Sequence, residues 1–372
     1  MNRLDATALR DIARGSSVLA GGGGGDPFRG TLSAIEMTRQ YGPPKVITIG
    51  ELPDDAIVAC PFIIGAPLAF LEKFPFGDEL AVAARELERV IGAPIAALLP
   101  AEIGGINSTL PLALGARMNI PVIDADTMGR AYPEMDMTLL NVEGIPAAPT
   151  VVADEHGNRV VVHATSNVWT ETLARTVSVK FGAAAAGIGY SATVARLRHA
   201  VIEGSLSNVR AIGRAMREAA GDPERVIASI TELTDAVELF RGKIVDLNRE
   251  IVDGFVRGTV LLDGAGPDAG SRMAIDIQNE YLVARRDGSV VASAPDIVTV
   301  MDAASGLPLT TESLRYGYRL VVLGIACNER WRTEAGLAVG GPARLGYDFP
   351  YVPLEQHATA RARGPIGAWS TA

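Results

Sequence analysis

Several common routes to function are closed by what this 372-residue chain lacks. It has two cysteines, Cys60 and Cys327, far apart and without a CxxC pair. That excludes a zinc knot built from thiolates and fits a reducing compartment. Its four histidines, His156, His163, His199 and His357, form no HxH or HExxH pair, so a metal site would have to be assembled from distant positions. No apolar run reaches the roughly 18 residues of a membrane span. The opening MNRLDATALRDIARG reads as a charged amphipathic helix without the apolar centre of a secretion signal. The expected location is cytoplasmic, with no membrane partner. Lys and Arg number 34 against 43 acids, for a net charge of -9, and they are scattered, which leaves no electrostatic footprint for nucleic acid. A GxSxG nucleophile elbow is also missing.

What the chain does have is glycine, 40 residues, five of them consecutive in SVLAGGGGGDPFRG. A dinucleotide fingerprint GxGxxG begun at Gly21, Gly22 or Gly23 meets Asp26, Pro27 or Phe28 where its last glycine belongs. No Gly-Lys-Ser/Thr follows, and an acid at the next helix start would compete with a phosphate for the same N–H groups. No nucleotide cofactor is therefore expected. Two readings stay open for the run: a bare backbone wall for another ligand, or a tight turn.

Periodicity divides the chain into an α/β N-terminal domain with a mostly parallel sheet over residues 1–165 and an α+β C-terminal domain over 166–360. In the first, SSVLA reads as a strand leaving through the glycines, and FRGTLSAIEMTRQYG as a helix capped by Asp26 with Pro27 at its first position. KVITIG, AIVACPFI, PIAALLP and IPVIDAD read as strands. The loop GAPLAFLEKFPFGDE precedes the helix ELAVAARELERVIG, TLPLALGARMN is a further helix, and TVVADEHGNRVVVHA is a hairpin. The second domain comprises a helical segment at 168–235, a small antiparallel β portion at 240–326 and an extended return segment at 331–355, before a flexible tail at 361–372. The Gly/Ala-rich KFGAAAAGIGYSA suggests tight packing or a subunit contact, and hence a homo-oligomer.

Ligands of open parallel sheets bind outside the carboxyl ends of the strands, where the loops GGGGGD, AEIGGIN and DADTMGR all emerge. Asp124 and Asp126, two apart at a strand end, would share a face and suit a divalent cation or an acid/base pair. The alternative has them capping the next helix. Arg130 and Glu134 lie one helical turn apart and would pair if a helix begins there. Glu102, just after a strand, has no such local use and is a candidate base; Gly104 and Gly105 let a ligand approach, and Asn107 serves as helix cap or ligand donor. The candidate catalytic groups are therefore Glu102, Asp124, Asp126 and Glu134. Candidate substrate contacts are Gly22, Gly23, Gly24, Gly25, Asp26, Gly104, Gly105, Asn107, Arg130 and, in LGIACNERW, Asn328. Asp124, Asp126 and His163 are the candidate ligands for one divalent metal ion, zinc or similar, with His163 alternatively a plain strand-edge residue.

GGGGGDPFRG, GAPLAFLEKFPFGDE, AEIGGINS, VIDADTMGRAYPEMDM, FRGKIVD, QNEYLVA, LRYGYRLVVLGIACNERWRT and GLAVGGPARLGYDFPYVP follow one another in this chain. The set, in this order, resembles the S-methyl-thiohydantoin desulfurase-like family, described as hydantoinase- or oxoprolinase-associated, over about residues 8–355. The resemblance implies a two-part fold and a hydrolase that removes sulfur from a thiohydantoin ring, with metal dependence; the expected partner is a small cyclic amide or thiohydantoin. The alternative is a non-catalytic subunit associated with a hydantoinase-like enzyme.

Overall fold

A computed structural model describes residues 4–65, 69 and 78–357. Most of the expected loop GAPLAFLEKFPFGDE and the whole of the expected tail 361–372 lie outside the described residues. The first helix, α1 (Ala6–Leu19), is capped by Asp5, whose side chain accepts from the Ala8 N–H. It runs straight through SSVL, so the strand expected there does not form. Gly15, which looks like a stop signal, is instead a notch where α1 crosses another helix, Ser205–Glu218: a Cβ there would lie 1.8 Å from the Val209 carbonyl oxygen. The glycine run therefore leaves the C-terminus of a helix. It enters α2 (Pro27–Tyr41) as expected, with Asp26 accepting from the Phe28 N–H at 2.9 Å and Pro27 in the first turn.

The first sheet is mixed: its first half is parallel as expected, and antiparallel strands complete it. Strands β1 (Val46–Ile47), β2 (Ile57–Gly65), β3 (Ala97–Leu98) and β4 (Val122–Ile123) make parallel pairs in the order β1-β4-β3-β2. Here α3 (Glu79–Ile91) and α4 (Leu110–Met118) are the crossover helices. The IPVIDAD segment continues only as β5 (Ala125–Asp126), which leaves this sheet. The hairpin β6 (Thr150–Ala153) and β7 (Arg159–Val162) forms as expected and sits at the far edge.

Between β2 and β6 runs β8 (Ala184–Thr193), antiparallel to both, inside the stretch expected to be helical. Its Ala and Gly residues carry little strand propensity, yet small side chains are what this position demands. A Cβ at Gly187 would meet the Phe62 ring, and one at Gly189 the Thr150 side chain. So the AAAGIGYSA part of KFGAAAAGIGYSA is packed inside the sheet, where β2 and β6 supply the bulk, while residues 180–183 end a helix and turn into it.

The longer helices that follow are α5 (Asn167–Lys180), α6 (Ser205–Glu218) and α7 (Pro223–Thr234), with β9 (Ile202–Glu203) pairing with β5. The β portion is a seven-stranded antiparallel sheet, larger than expected. Its strands are β10 (Val237–Val252), β11 (Phe255–Gly264), β12 (Arg272–Gln278), β13 (Glu280–Arg286), β14 (Ser289–Ser293), β15 (Ile297–Asp302) and β16 (Arg319–Ile325). It curls enough for β15 to touch β13. Asp253-Gly254 and Asp287-Gly288 make the tight hairpin turns at positive φ that such dipeptides favour. The return segment is not extended: it contains α8 (Glu334–Gly340), flanked by short 3-10 turns. Trp331 anchors it, fully buried, donating to the Met128 carbonyl at 2.7 Å and packing on Tyr132 with ring centroids 4.9 Å apart.

The two halves meet on the glycine run. Tyr281 donates its N–H to the Gly21 carbonyl at 2.7 Å, Thr311 to that of Gly22 at 2.9 Å, and the Thr299 hydroxyl to that of Val18 at 2.6 Å. A Cβ at Gly22 would strike the Tyr281 ring, and one at Gly23 would lie 1.8 Å from Glu280 Oε1. The glycines are what lets the second sheet reach this far.

Candidate functional site

A pocket at this junction is lined from both halves: Gly24 and Gly25, the end of β2, Glu102, Asn107, residues 132–135, Arg175, Tyr190, Asn279 and Glu280. Its volume is about 70 Å³.

Glu102 follows β3, is 5% exposed and has both carboxylate oxygens engaged. Asn107 Nδ2 donates to Oε1 at 2.6 Å and the Tyr132 N–H to Oε2 at 3.4 Å. Asn107 is not a helix cap; its Oδ1 accepts from the Ile63 N–H of β2 at 2.8 Å, so it ties Glu102 to the sheet. Burial pushes the Glu102 carboxyl up to about 8, with the Asp126 charge adding to the rise while the two hydrogen bonds and Arg130 oppose it.

Glu280 is 2% exposed and comes from the first position of β13. Its carboxyl is raised well above the usual range, first by burial and then by the charge of Glu102, and its Oε2 has no hydrogen-bond partner. Asn279 at φ 57° makes the turn that delivers it, and the Asn279 side chain accepts from the Val256 N–H at 2.9 Å. Tyr190 enters the pocket from a bulge in β8 and takes φ 50°, rare for a bulky residue. Its hydroxyl donates to the Met135 carbonyl at 3.2 Å. Arg175 on α5 pairs with Glu171, donates to the Pro133 carbonyl at 3.0 Å and stacks over the Phe255 ring at 4.0 Å.

The other expected residues divide. Gly24 and Gly25 line the pocket, while Gly22 and Gly23 pack under Tyr281 and Glu280. Gly104 and Gly105 pack against Ala20, Ala131 and Gly24 rather than open to a ligand. Glu134 lines the pocket but is ion-paired with Arg344, and no helix forms to pair it with Arg130. Arg130 is buried, with guanidinium N–H groups on the Ala131, Pro295 and Asp296 carbonyls, so it clamps the two halves and does not line the pocket. Asn328 caps a 3-10 turn by accepting from the Arg330 N–H. Asp26 caps α2 and lines a different groove.

The expected metal set does not assemble. Asp124 accepts from the Ser207 N–H at 3.0 Å and from the Ser207 hydroxyl, holding the first turn of α6. Asp126 accepts from the Met128 and Gly129 N–H groups at 2.9 and 2.6 Å and from the Ser205 hydroxyl at 2.6 Å. With strand pairing broken after Ile123, the shared face the i, i+2 spacing implies is lost. His163 is exposed at the end of edge strand β7. Among the described residues no three His, Cys, Asp or Glu side chains are placed to hold a metal ion. Glu280, Tyr132, Tyr190, Arg175 and Asn279 are not among the expected site residues; QNE, at the head of an apolar strand, contains two of them, Asn279 and Glu280.

Fold and pocket together define a two-part α/β protein with a carboxyl-lined pocket at the junction of its halves. The chain belongs to the S-Me-THD-like family, whose N-terminal domain matches residues 7–164 and C-terminal domain residues 165–354. A crystal structure of a protein from Chromobacterium violaceum has the same fold, with a TM-score of 0.80 at 21% identity over 95% of this chain and 100% of that one. No match is found among curated proteins.

Proposed function

We propose that this protein hydrolyses a small cyclic amide or imide of the hydantoin or thiohydantoin type in the Glu102–Glu280 pocket. One observation carries the reading: two buried carboxyl groups from different halves line one small cavity in unlike environments. Such pairs assign acid and base roles. Glu102, whose anion receives two hydrogen bonds, is the base; Glu280, with a free oxygen and a carboxyl raised further out of range, holds the proton.

With a thioether on the ring carbon, Glu102 takes a proton from water as its oxygen bonds to that carbon, and the C=N electron pair moves to the ring nitrogen. The proton on Glu102 passes to that nitrogen. As the C–S bond breaks, sulfur takes the proton of Glu280, and the hydroxyl proton released by the new carbonyl restores it. With a plain cyclic amide, nitrogen leaves in place of sulfur and the ring opens.

The test follows thiol release from S-methyl-thiohydantoin with a thiol-reactive dye, and ring opening of hydantoin by chromatography. Turnover that disappears in Glu102→Gln and Glu280→Gln supports the proposal. Turnover equal to wild type in both variants overturns it. Saturable ring binding without turnover would favour the accessory ligand-binding subunit instead.

A further inference from the structure

Helix α5 is turned inside out. A helix packed on a sheet normally buries its apolar stripe and shows charge to solvent. The inner side of α5 instead buries Thr170, Glu171, Arg175 and Ser178 around Ala174, with Glu171 accepting from the Met135 N–H at 3.0 Å. Its outer side carries Val168, Trp169, Thr172, Leu173, Thr176 and Val179, all exposed, Trp169 by 56%. Lys180, at the C-terminal end, is the one charge on that side. Exposed apolar residues scattered singly mean little, but a row of them on consecutive turns marks a surface that another molecule covers.

That surface continues onto an open strand. Among the described residues β7 pairs only with β6 and ends the first sheet. The Asp154 N–H donates to the Asn158 carbonyl at 3.0 Å. From that pair, antiparallel alternation turns the backbone groups of Val160 and Val162 toward β6 and those of Arg159 and Val161 outward. Open edges are usually blunted by proline or by outward charge. Here Arg159 is the only charge, and it leans back to Glu86 at 3.4 Å. Exposed Val160 stands opposite Val152, which shares a core cluster with Ala174 of α5, so Val160 and α5 lie on the same side of the sheet. Because α5 begins soon after β7 ends, Val168 and Trp169 stay close to that edge.

We infer that this edge and the outer side of α5 form the interface of a homodimer, in which β7 pairs antiparallel with β7 of a second copy about a two-fold axis through Val161. A two-fold interface needs a surface that matches itself, and this one does. The Val161 N–H and carbonyl of each copy bond those of the other, and Val160 of one copy stands opposite Val162 of the other. Arg159 faces His163 rather than its own copy. The two α5 helices come to the same side of the joined sheet, their uncharged faces adjacent and Lys180 at the far end. A strongly charged partner would find no counterpart on this face. The Gly/Ala strand β8, first expected at a subunit contact, lies inside the sheet and takes no part. None of this depends on the hydrolase reading.

Sedimentation equilibrium of the full-length protein tests it. Wild type should show a mass near twice 39.0 kDa, with a dissociation constant of about 1 µM or tighter. Leu173→Glu, which puts a charge between the helices, and Val161→Pro, which removes an outward N–H while sparing the ladder to β6, should each weaken association by about 100-fold or more. Leu173 is exposed, so its variant should keep the wild-type circular dichroism spectrum even if the proline variant does not. Tyr316→Asp, at a residue 72% exposed elsewhere on the surface, should leave association unchanged. A monomer at concentrations up to about 100 µM overturns the inference and leaves the face to a different protein. A dimer that Leu173→Glu and Val161→Pro leave intact, or that Tyr316→Asp dissolves, overturns it as well.

Discussion

Two acidic pairs, Asp124/Asp126 and Glu102/Glu280, make opposite use of the same functional group. Both aspartates are consumed by the fold, receiving backbone N–H groups and serine hydroxyls that start α6 and shape the turn after β5. The glutamates are buried with less to hold them, and one oxygen of Glu280 has nothing. A buried acid whose hydrogen bonds are complete is already explained; one left incomplete next to a cavity has capacity to act on what enters it.

The largest expected effect sharpens that contrast. Glu280→Gln and Glu102→Gln should each lower kcat/KM by at least about 100-fold, the usual share of a general acid or base. Their melting temperatures should stay level or rise, since a neutral amide of equal shape replaces a buried acid. Parallel losses of activity and melting temperature would make the glutamates as structural as the aspartates. Next in size, Gly23→Ala drives a methyl group into Glu280 and should cost about 1–3 kcal/mol in overpacking, together with a fall in activity. Denaturant midpoints beside kcat/KM would read both effects.

Asp126→Ala should do the reverse of the glutamate variants. Leaving two backbone N–H groups and a buried hydroxyl unanswered costs about 1–3 kcal/mol, read as a lower denaturant midpoint, while kcat/KM of the folded protein stays within a few-fold of wild type. A loss of 100-fold or more with an unchanged midpoint would move the chemistry to Asp126 and break the comparison.

Which pair was legible in the sequence follows from how far its explanation reaches along the chain. Glu102 stands out because an acid after a strand, followed by two glycines, lacks a local partner. Asp26 as a helix cap is local chemistry and reads directly. Asp124 and Asp126 mislead because i, i+2 spacing implies one face only while a strand continues, and the pairing that ends it involves β9, far downstream. Glu280 was hidden for the converse reason: its neighbourhood is supplied by β3 and the glycine run, and only docking of the second sheet creates it. In β8 the glycines Gly187 and Gly189 are demanded by Phe62 and Thr150 across the sheet, which a window along the chain never sees.

The smallest expected effect is a dependence of stability on pH that the two pairs should divide between them. Folding raises Glu102 from 4.5 to about 8 and Asp126 from 3.8 to about 6, in both cases chiefly through burial. A group raised in the folded state contributes stability that is present in full below its unfolded value and is lost as pH climbs through the folded one. The unfolded chain gives up these protons first, so stability should decline from about pH 4 to about pH 8, with Asp126 acting only up to about pH 6 and Glu102 from about pH 4.5 to the top of the window. Thermal unfolding in matched buffers should show Glu102→Gln flattening the curve from about pH 4.5 to about pH 8 and Asp126→Asn flattening it only below about pH 6. Because the base form of Glu102 is the active one, kcat/KM should rise over the same upper range in which stability falls. If Glu102→Gln removed neither trend, the buried proton would belong elsewhere in the pocket, with Glu280 the remaining group there raised far enough to hold it.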